Sequence, residues 1–138
     1  MRTKFAMHGT LSVRIDGQVL ILEGQGPWNT EALQIEDERI MTQVKGLYGQ
    51  PWGVLGLFRG EAVYVPEAAK ALVENVREEK HQGRIATAIV IEASPSAQFS
   101  QLHLKDLYQQ ASENVSFFST EADAMAWLQR QLQVAGKG

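Results

Sequence analysis

The sequence predicts a single α/β domain built on one mixed, mostly parallel sheet. Two nearly continuous apolar stretches, 52–58 and 84–93, are typical of strands that helices cover on both faces. Amphipathic helical patterns separate and follow them, and such alternation implies crossover connections between parallel strands. A length of 138 residues corresponds to one domain of ordinary size, so we expect the whole chain, 1–138, to form it.

The first part of the chain is rich in β-prone residues. A short stretch at 3–8 precedes a predicted hairpin at 11–23. The turn of this hairpin is Asp16-Gly17, a pair that tolerates positive φ. We expect these opening strands to add an antiparallel portion at one side of the sheet.

A long helix is predicted after the hairpin. Asn29 or Thr30 can cap the free N–H groups at its start, and Gly49 followed by Pro51 ends it. The strand at 52–58 comes next. The apolar residues of this helix fall on one stripe, namely Leu33, Ile40, Met41, Val44, Leu47 and Tyr48.

Three more helices are predicted in the second half of the chain. The first begins near Pro66, where the missing N–H costs nothing, and Gly83 ends it. The second covers about 97–111, and the third follows a short strand at 115–118, giving the order β-β-β-α-β-α-β-α-β-α. The residues expected to face the core are Ala69, Leu72, Val73, Val76, Leu104, Leu107, Tyr108, Ala111, Ala124, Trp127, Leu128 and Leu132.

Composition argues against several classes of function. The net charge is −3 and the cations are scattered, whereas a nucleic-acid interface needs clustered cations. The absence of Cys excludes disulfides and thiolate chemistry. We see neither a signal-peptide core nor an apolar run of the roughly 20 residues that a membrane helix needs, so we expect a cytoplasmic protein without membrane insertion. The mixed-charge run 74–84 is expected to be a solvated helix face.

Three segments of the chain carry a resemblance to a known family. They are the opening hairpin with GQGPWNTEAL, then PWGVLGLFRGEAVYVPEAAKAL, and last NVSFFSTEADAMAWLQRQL. Together they resemble the STAS family, and more closely its SpoIIAA-like branch of small bacterial proteins. The resemblance covers about residues 10–132. It implies a single SpoIIAA-like sheet with four helices packed on it, and a regulatory role in protein–protein recognition without catalysis or a cofactor.

Signalling members of that family are switched by phosphorylation at the start of the second helix. The resembling stretch is LFRGEAVYVPEAAK, in which Gly60 matches the family's Gly. The phosphorylatable position falls near Pro66 or Glu67, and neither residue can accept a phosphate. Glu67 could supply a permanent negative charge, or it could be an ordinary acidic residue in the first turn of a helix. We therefore expect an interaction module without a phosphorylation switch.

Candidate binding residues lie in and just beyond the loops after the predicted strands, because ligands of parallel sheets gather at the carboxyl ends of strands. Arg59 could bind a carboxylate or phosphate, and Trp28 could provide a flat apolar wall. Alternatively, Trp28 packs under the first helix, Arg59 pairs with Glu61 or solvent, and Ser94 belongs to a turn that begins a helix. The full candidate set is Trp28, Arg59, Gly60, Glu61, Tyr64, Glu67 and Ser94.

No catalytic or metal-binding motif is evident in the sequence. The histidines fall in different predicted elements, and we expect His81 and His103 to be surface imidazoles and not metal ligands. An enzyme would require Arg59, Glu61 and Ser94 to converge in one pocket.

Two functions follow from these observations. The first is a non-enzymatic module that binds an unidentified protein partner through residues 59–70, with a homodimer as another form of association. The alternative is a domain that binds a small apolar molecule or lipid in a pocket between sheet and helices. That pocket would be formed near Trp28, Phe58, Tyr64 and Phe99.

Overall fold

The computed structural model describes residues 10–25, 38–59 and 64–137. Within these residues the fold is α/β, with five strands in one mixed sheet and four helices. The strand predicted at 3–8 lies outside them. In chain order the elements are β1 (Thr10–Asp16), β2 (Val19–Gln25), α1 (Glu38–Lys45), β3 (Trp52–Arg59), α2 (Pro66–Lys80), β4 (Arg84–Ile91), α3 (Ala97–Gln110), β5 (Val115–Phe118) and α4 (Glu121–Lys137).

The strands lie in the sheet in the same order as in the chain, β1-β2-β3-β4-β5. β1 and β2 pair antiparallel, with Asp16 opposite Val19, and every later pairing is parallel. Gly17 has a φ of 62° in the connecting turn, as the predicted hairpin requires. The prediction of an antiparallel portion at one side of a mostly parallel sheet is confirmed.

The two faces of the sheet carry different numbers of described helices. Because each parallel connection moves to the next strand in the same direction, right-handed crossovers put their helices on one face. Along β3, Trp52, Val54 and Phe58 point to that face, where α1, α2 and α3 pack. Leu55 points to the other face, which α4 covers through Ala124 and Leu128. The core is therefore formed by side chains on both faces of β3 and its neighbours.

The helix boundaries agree with the predicted ones at most positions. The first helix is the exception, because α1 ends at Lys45 and tight i→i+3 turns lead from there to Gly49, whose φ is 89°. Its predicted start lies outside the described residues. On α2 the predicted core residues Leu72, Val73 and Val76 are buried, but the fully buried alanine is Ala68, and the predicted Ala69 is only partly buried. None of the helices described is long and apolar enough to cross a membrane.

The end of α2 is fixed to the start of β3 by main-chain contacts. The carbonyl of Gln82 accepts hydrogen bonds from the Gly49 N–H at 3.0 Å and the Trp52 indole N–H at 3.1 Å. Gly83 follows with a φ of 109°, and a Cβ there would collide with the carbonyl oxygen of Gln50. Only glycine fits this position, so the predicted helix stop at Gly83 also sets how closely two chain segments approach.

A cluster of charged side chains is buried beside this junction. Arg84 and Glu113 have side chains 5% and 0% exposed, and the Arg84 Nε donates to Glu113 at 2.9 Å. Arg84 also donates to Glu79 at 2.6 Å and to Thr87 at 2.7 Å, while Lys80 lies 3.3 Å from Glu113. Burial alone would lower the pKa of Arg84, but the carboxylates of Glu79 and Glu113 more than compensate and hold it above its ordinary value. The guanidinium is thus charged and fully paired.

This cluster corrects the prediction that the run 74–84 is a solvated helix face. Glu79 and Arg84, both within that run, bond to each other in the buried cluster. Arg77 is exposed, and it donates to the Gln110 carbonyl at 2.8 Å. The end of α2 faces the end of α3, and this packing removes part of the run from water.

Candidate functional site

An open cleft of about 900 Å³ lies at the carboxyl edge of the parallel strands. β2, β3, β4 and β5 end there, and α3 and α4 begin there. Because successive residues of a strand point to opposite faces, the strand ends contribute pairs of side chains to its floor. The apolar floor consists of Leu57, Phe58, Val90, Ile91, Phe117 and Phe118. We refer to this feature as the carboxyl-edge cleft.

The rim of the carboxyl-edge cleft is mainly acidic. Among the residues that the structure describes, those lining it include the carboxylates of Glu23, Glu92 and Glu121 and one guanidinium, that of Arg59. Arg59 lies 3.6 Å from Glu23, and Glu121 lies 3.6 Å from Arg14. The side chains of both ion pairs are about half exposed, so each pair contributes little to stability and both partners stay accessible.

Two large apolar side chains on α3 are exposed beside this rim. Leu102 lines the carboxyl-edge cleft and is 59% exposed, and Phe99, one turn earlier on the helix, is 60% exposed. The predicted stripe of α3 is buried as expected, and neither residue belongs to it. That mismatch with the helical stripe is the signal in the sequence that could have identified them as surface residues.

His103 is partly buried behind Phe99, so its prediction as a surface imidazole is wrong. Its Nε2 accepts a hydrogen bond from the Tyr64 backbone N–H at 3.0 Å. The ring stacks between Tyr64 and Phe99, with centroid distances of 6.4 Å and 6.3 Å. Burial lowers the pKa of His103, and nearby Asp106 opposes this only in part. The imidazole is consequently neutral with an unprotonated Nε2. His81 is exposed, as predicted.

Of the seven predicted site residues, the structure describes four. Arg59 lines the carboxyl-edge cleft. Tyr64 is buried in the core, and burial raises the pKa of Tyr64 well above its ordinary value, so its hydroxyl stays protonated. Glu67 is exposed in the first turn of α2. The others, which lie outside the described part of the chain, are Trp28, Gly60 and Glu61.

Ser94 lies in the turn that precedes α3. Its carbonyl accepts the Ala97 N–H at 3.1 Å, and its hydroxyl lies 3.4 Å from that of Ser96. Ser94 is not among the residues that line the cleft. Arg59 and Ser94 therefore do not share this site, as the enzymatic interpretation would have required.

The residues named for an apolar pocket lie in different environments. Phe58 contributes to the floor of the carboxyl-edge cleft, Tyr64 packs in the core and Phe99 is exposed. Within residues 10–25, 38–59 and 64–137, no group of three or more His, Cys, Asp or Glu side chains could hold a metal ion.

Comparison of the chain with models of protein families, with curated proteins and with solved structures finds no match. Function is therefore inferred from the geometry and chemistry of the cleft, since a fold alone does not imply a function.

Proposed function

We propose that this chain is a non-enzymatic protein-interaction module of the STAS, SpoIIAA-like type that binds its partner at the carboxyl-edge cleft. The observation that carries the proposal is the exposure of Leu102, which lines an open, apolar-floored cleft, together with that of Phe99 one turn earlier on the same helix. Adjacent exposed apolar side chains with a polar surround are typical of protein interaction sites. Arg59 lines this cleft, but the exposed apolar side chains that support the proposal lie on α3 and not at the start of α2.

The start of α2 supports a module without a phosphorylation switch. Pro66 occupies the first turn and Glu67 follows it, exposed. The stretch from Gly60 to Lys70 contains no Ser or Thr in the sequence. A kinase that acts at this position in the signalling members of the family would find no serine or threonine hydroxyl to modify here. Partner binding is then controlled by other means than phosphorylation at this helix.

The chemistry of the rim favours binding over catalysis. Among residues 10–25, 38–59 and 64–137, those that line the carboxyl-edge cleft include no histidine. The carboxylates of Glu23 and Glu121 are about half exposed to water. Catalytic groups act most strongly in sites that exclude water, which this open rim does not provide.

A second candidate, the binding of a small apolar molecule or lipid, has one observation in its favour. The floor of the cleft is apolar, and a volume of about 900 Å³ falls within the usual size of ligand pockets. Its openness to solvent argues for a protein partner, because drug-sized ligands are usually buried on most of their surface.

The proposal is tested by affinity purification from cells with the double variant Phe99→Ser/Leu102→Ser. The matched control is Val134→Ser, because Val134 is 70% exposed but lies about 20 Å further along α4 from the cleft. We expect quantitative mass spectrometry to identify proteins retained by the wild type and the control but lost from the double variant.

Two outcomes would contradict the proposal. A retained small molecule, seen as extra mass in the native but not the denatured protein and lost in Phe58→Ala, would favour the second candidate. Identical sets of captured proteins from all three versions would show that the cleft does not bind them.

A further inference from the structure

We infer, on the basis of the proposed function, that the partner binds through a basic amphipathic segment with Lys or Arg on one side and apolar residues on the other. The juxtaposition that carries the inference is an acidic rim beside the exposed Phe99 and Leu102, above an apolar floor. The acidic rim selects a partner with cationic side chains, and the exposed apolar side chains select a partner with apolar ones. A segment that covers the whole surface therefore needs both.

The acidic half is held in place and accessible. Glu92 is exposed just beyond β4, where its backbone N–H donates to the Phe58 carbonyl at 2.9 Å. The two ion pairs on the rim are 3.6 Å long, whereas strong charge-assisted hydrogen bonds are about 2.7–2.9 Å. Arg59 therefore does not tie up the carboxylate of Glu23, and cationic side chains of a partner can bind along the rim.

The dimensions of the surface suit a short segment of polypeptide. The carboxyl-edge cleft crosses from β2 to β5, which is three strand spacings or about 14 Å. A helix of about ten residues has this length. Leu102 lines the cleft, and Phe99, three residues earlier on α3, is its neighbour on the helix surface. Nucleic acids and anionic membranes fit less well, because their phosphates would meet three carboxylates.

The test uses three fluorescent helical peptides of about 14 residues, long enough to span the cleft. The first has Leu on one face and Lys on the other, the second has Glu in place of Lys, and the third has Ser in place of Leu. By fluorescence anisotropy we expect the Leu/Lys peptide to bind at least about tenfold more tightly than either of the others. Its affinity should fall as salt is raised, because salt screens the exposed rim charges.

Variants of the acidic rim locate the binding site. The rim variant carries Glu23→Gln, Glu92→Gln and Glu121→Gln, and we expect it to bind the Leu/Lys peptide about fivefold or more weakly. The matched control loses the same number of exposed carboxylates away from the cleft and should bind like the wild type. That control carries Asp16→Asn, Glu74→Gln and Glu78→Gln.

The apolar half is tested with Phe99→Ser/Leu102→Ser against Val134→Ser. We expect about a tenfold loss of affinity for the Leu/Lys peptide in the former and none in the latter. Circular dichroism spectra should be unchanged, since these side chains are on the surface.

Several outcomes overturn the inference. They are equal binding of the Glu peptide, equal loss of affinity in the charge-matched control, or failure of the Leu/Lys peptide to bind. If the Leu/Lys peptide does not bind, but Phe99→Ser/Leu102→Ser still fails to retain proteins that the wild type captures from cells, then the inferred chemistry of the partner is wrong and the proposed function stands. If sedimentation shows a dimer that this variant converts to a monomer, a second copy of the chain occupies the surface instead.

Discussion

The imidazole of His103 connects α3 to Tyr64, which lies two residues before the start of α2. Its Nε2 accepts the Tyr64 N–H, so the bond exists only while that nitrogen is unprotonated. Burial makes protonation harder in the folded protein than in the unfolded chain, and Asp106 offsets this only partly. The folded state therefore binds a proton at His103 less readily than the unfolded state does.

We predict that His103 makes the protein less stable as the pH falls. Between the ordinary pKa of 6.5 and the lower pKa of the folded state, the unfolded chain binds more protons, so the free energy of unfolding decreases with decreasing pH. Urea unfolding from about pH 7.5 to about pH 5 measures this dependence. In His103→Gln, whose amide oxygen can accept the same bond without titrating, the dependence should be shallower. Equal slopes in wild type and His103→Gln would contradict the prediction.

Single residues were predictable from the sequence where their position in an element determines their role. Arg59 follows an apolar strand, so the rule for strand ends placed it at the cleft. The bond of His103 depends on Tyr64, 39 residues earlier in the chain, and no local pattern indicates that pairing. Phe99 and Leu102 appeared only as exceptions to a stripe.

At the scale of elements, glycine conformations decide where helices stop. Gly83 and Gly49 both have positive φ, 109° and 89°, at opposite sides of the junction between α2 and β3. They differ in their surroundings, because a Cβ on Gly83 would meet the Gln50 backbone, whereas a Cβ on Gly49 would have nothing within 4 Å. Substitutions at these two glycines therefore distinguish the free-energy cost of an unfavourable φ from that of a steric collision.

We predict that Gly83→Ala destabilises the protein more than Gly49→Ala does. Gly49→Ala should cost about 1–2 kcal/mol from its backbone conformation alone. Gly83→Ala should cost at least about 1–3 kcal/mol more, because Gln50 must also move and disturb the bonds to Gln82. Thermal or urea unfolding of the two variants measures the difference. Equal costs would mean that the junction accommodates the extra methyl group.

Most element boundaries were predictable because local chemistry sets them. The strand predicted at 84–93 ends at Ile91 in the structure, since the ladder with β3 closes where Ile91 pairs with Phe58. The helix α1 also ends earlier than predicted, at Lys45, because tight turns and not α-helix lead from there to Gly49.

At the scale of the molecule, the buried ion cluster joins three separate parts of the fold. Glu79 comes from α2, Arg84 from β4, and Glu113 from the turn before β5. Ser112, with a φ of 61°, ends α3 and lets the Glu113 N–H bond to the Tyr108 carbonyl at 2.9 Å. This helix ending aims the carboxylate of Glu113 into the interior.

We predict strong coupling between Arg84 and Glu113 in a double-mutant cycle. Arg84→Met or Glu113→Leu alone should cost about 3–5 kcal/mol, because each leaves a buried charge short of its partner. The double variant should cost clearly less than the sum of the two, as measured by urea unfolding.

The control for this cycle is the exposed pair of Arg14 and Glu121, which lie 3.6 Å apart. Arg14→Met and Glu121→Leu should show a coupling below about 1 kcal/mol. Additive costs at Arg84 and Glu113 would contradict the prediction that they act as a unit.

The α/β architecture and the mixed sheet were predictable because alternating strand and helix patterns leave few arrangements. The ion cluster was not, because Arg84 and Glu113 are separated by 29 positions and no local pattern in the sequence pairs them. The sequence indicated which edge of the sheet carries the cleft, because ligand sites gather at the carboxyl ends of parallel strands. It did not indicate that Glu23, Glu92 and Glu121 meet there, because these residues are far apart in the chain.

The identity of strand order in the chain and in the sheet has a consequence for how the protein is made. Each of β2 to β5 pairs with the described strand that precedes it in the chain, so among these strands none waits for a distant segment, and loop-closure costs during folding stay low. The sheet can grow from the hairpin outwards as the chain leaves the ribosome. The carboxyl-edge cleft takes part of its lining from Phe117, Phe118 and Glu121. A nascent chain therefore lacks a finished carboxyl-edge cleft until β5 and the start of α4 have emerged.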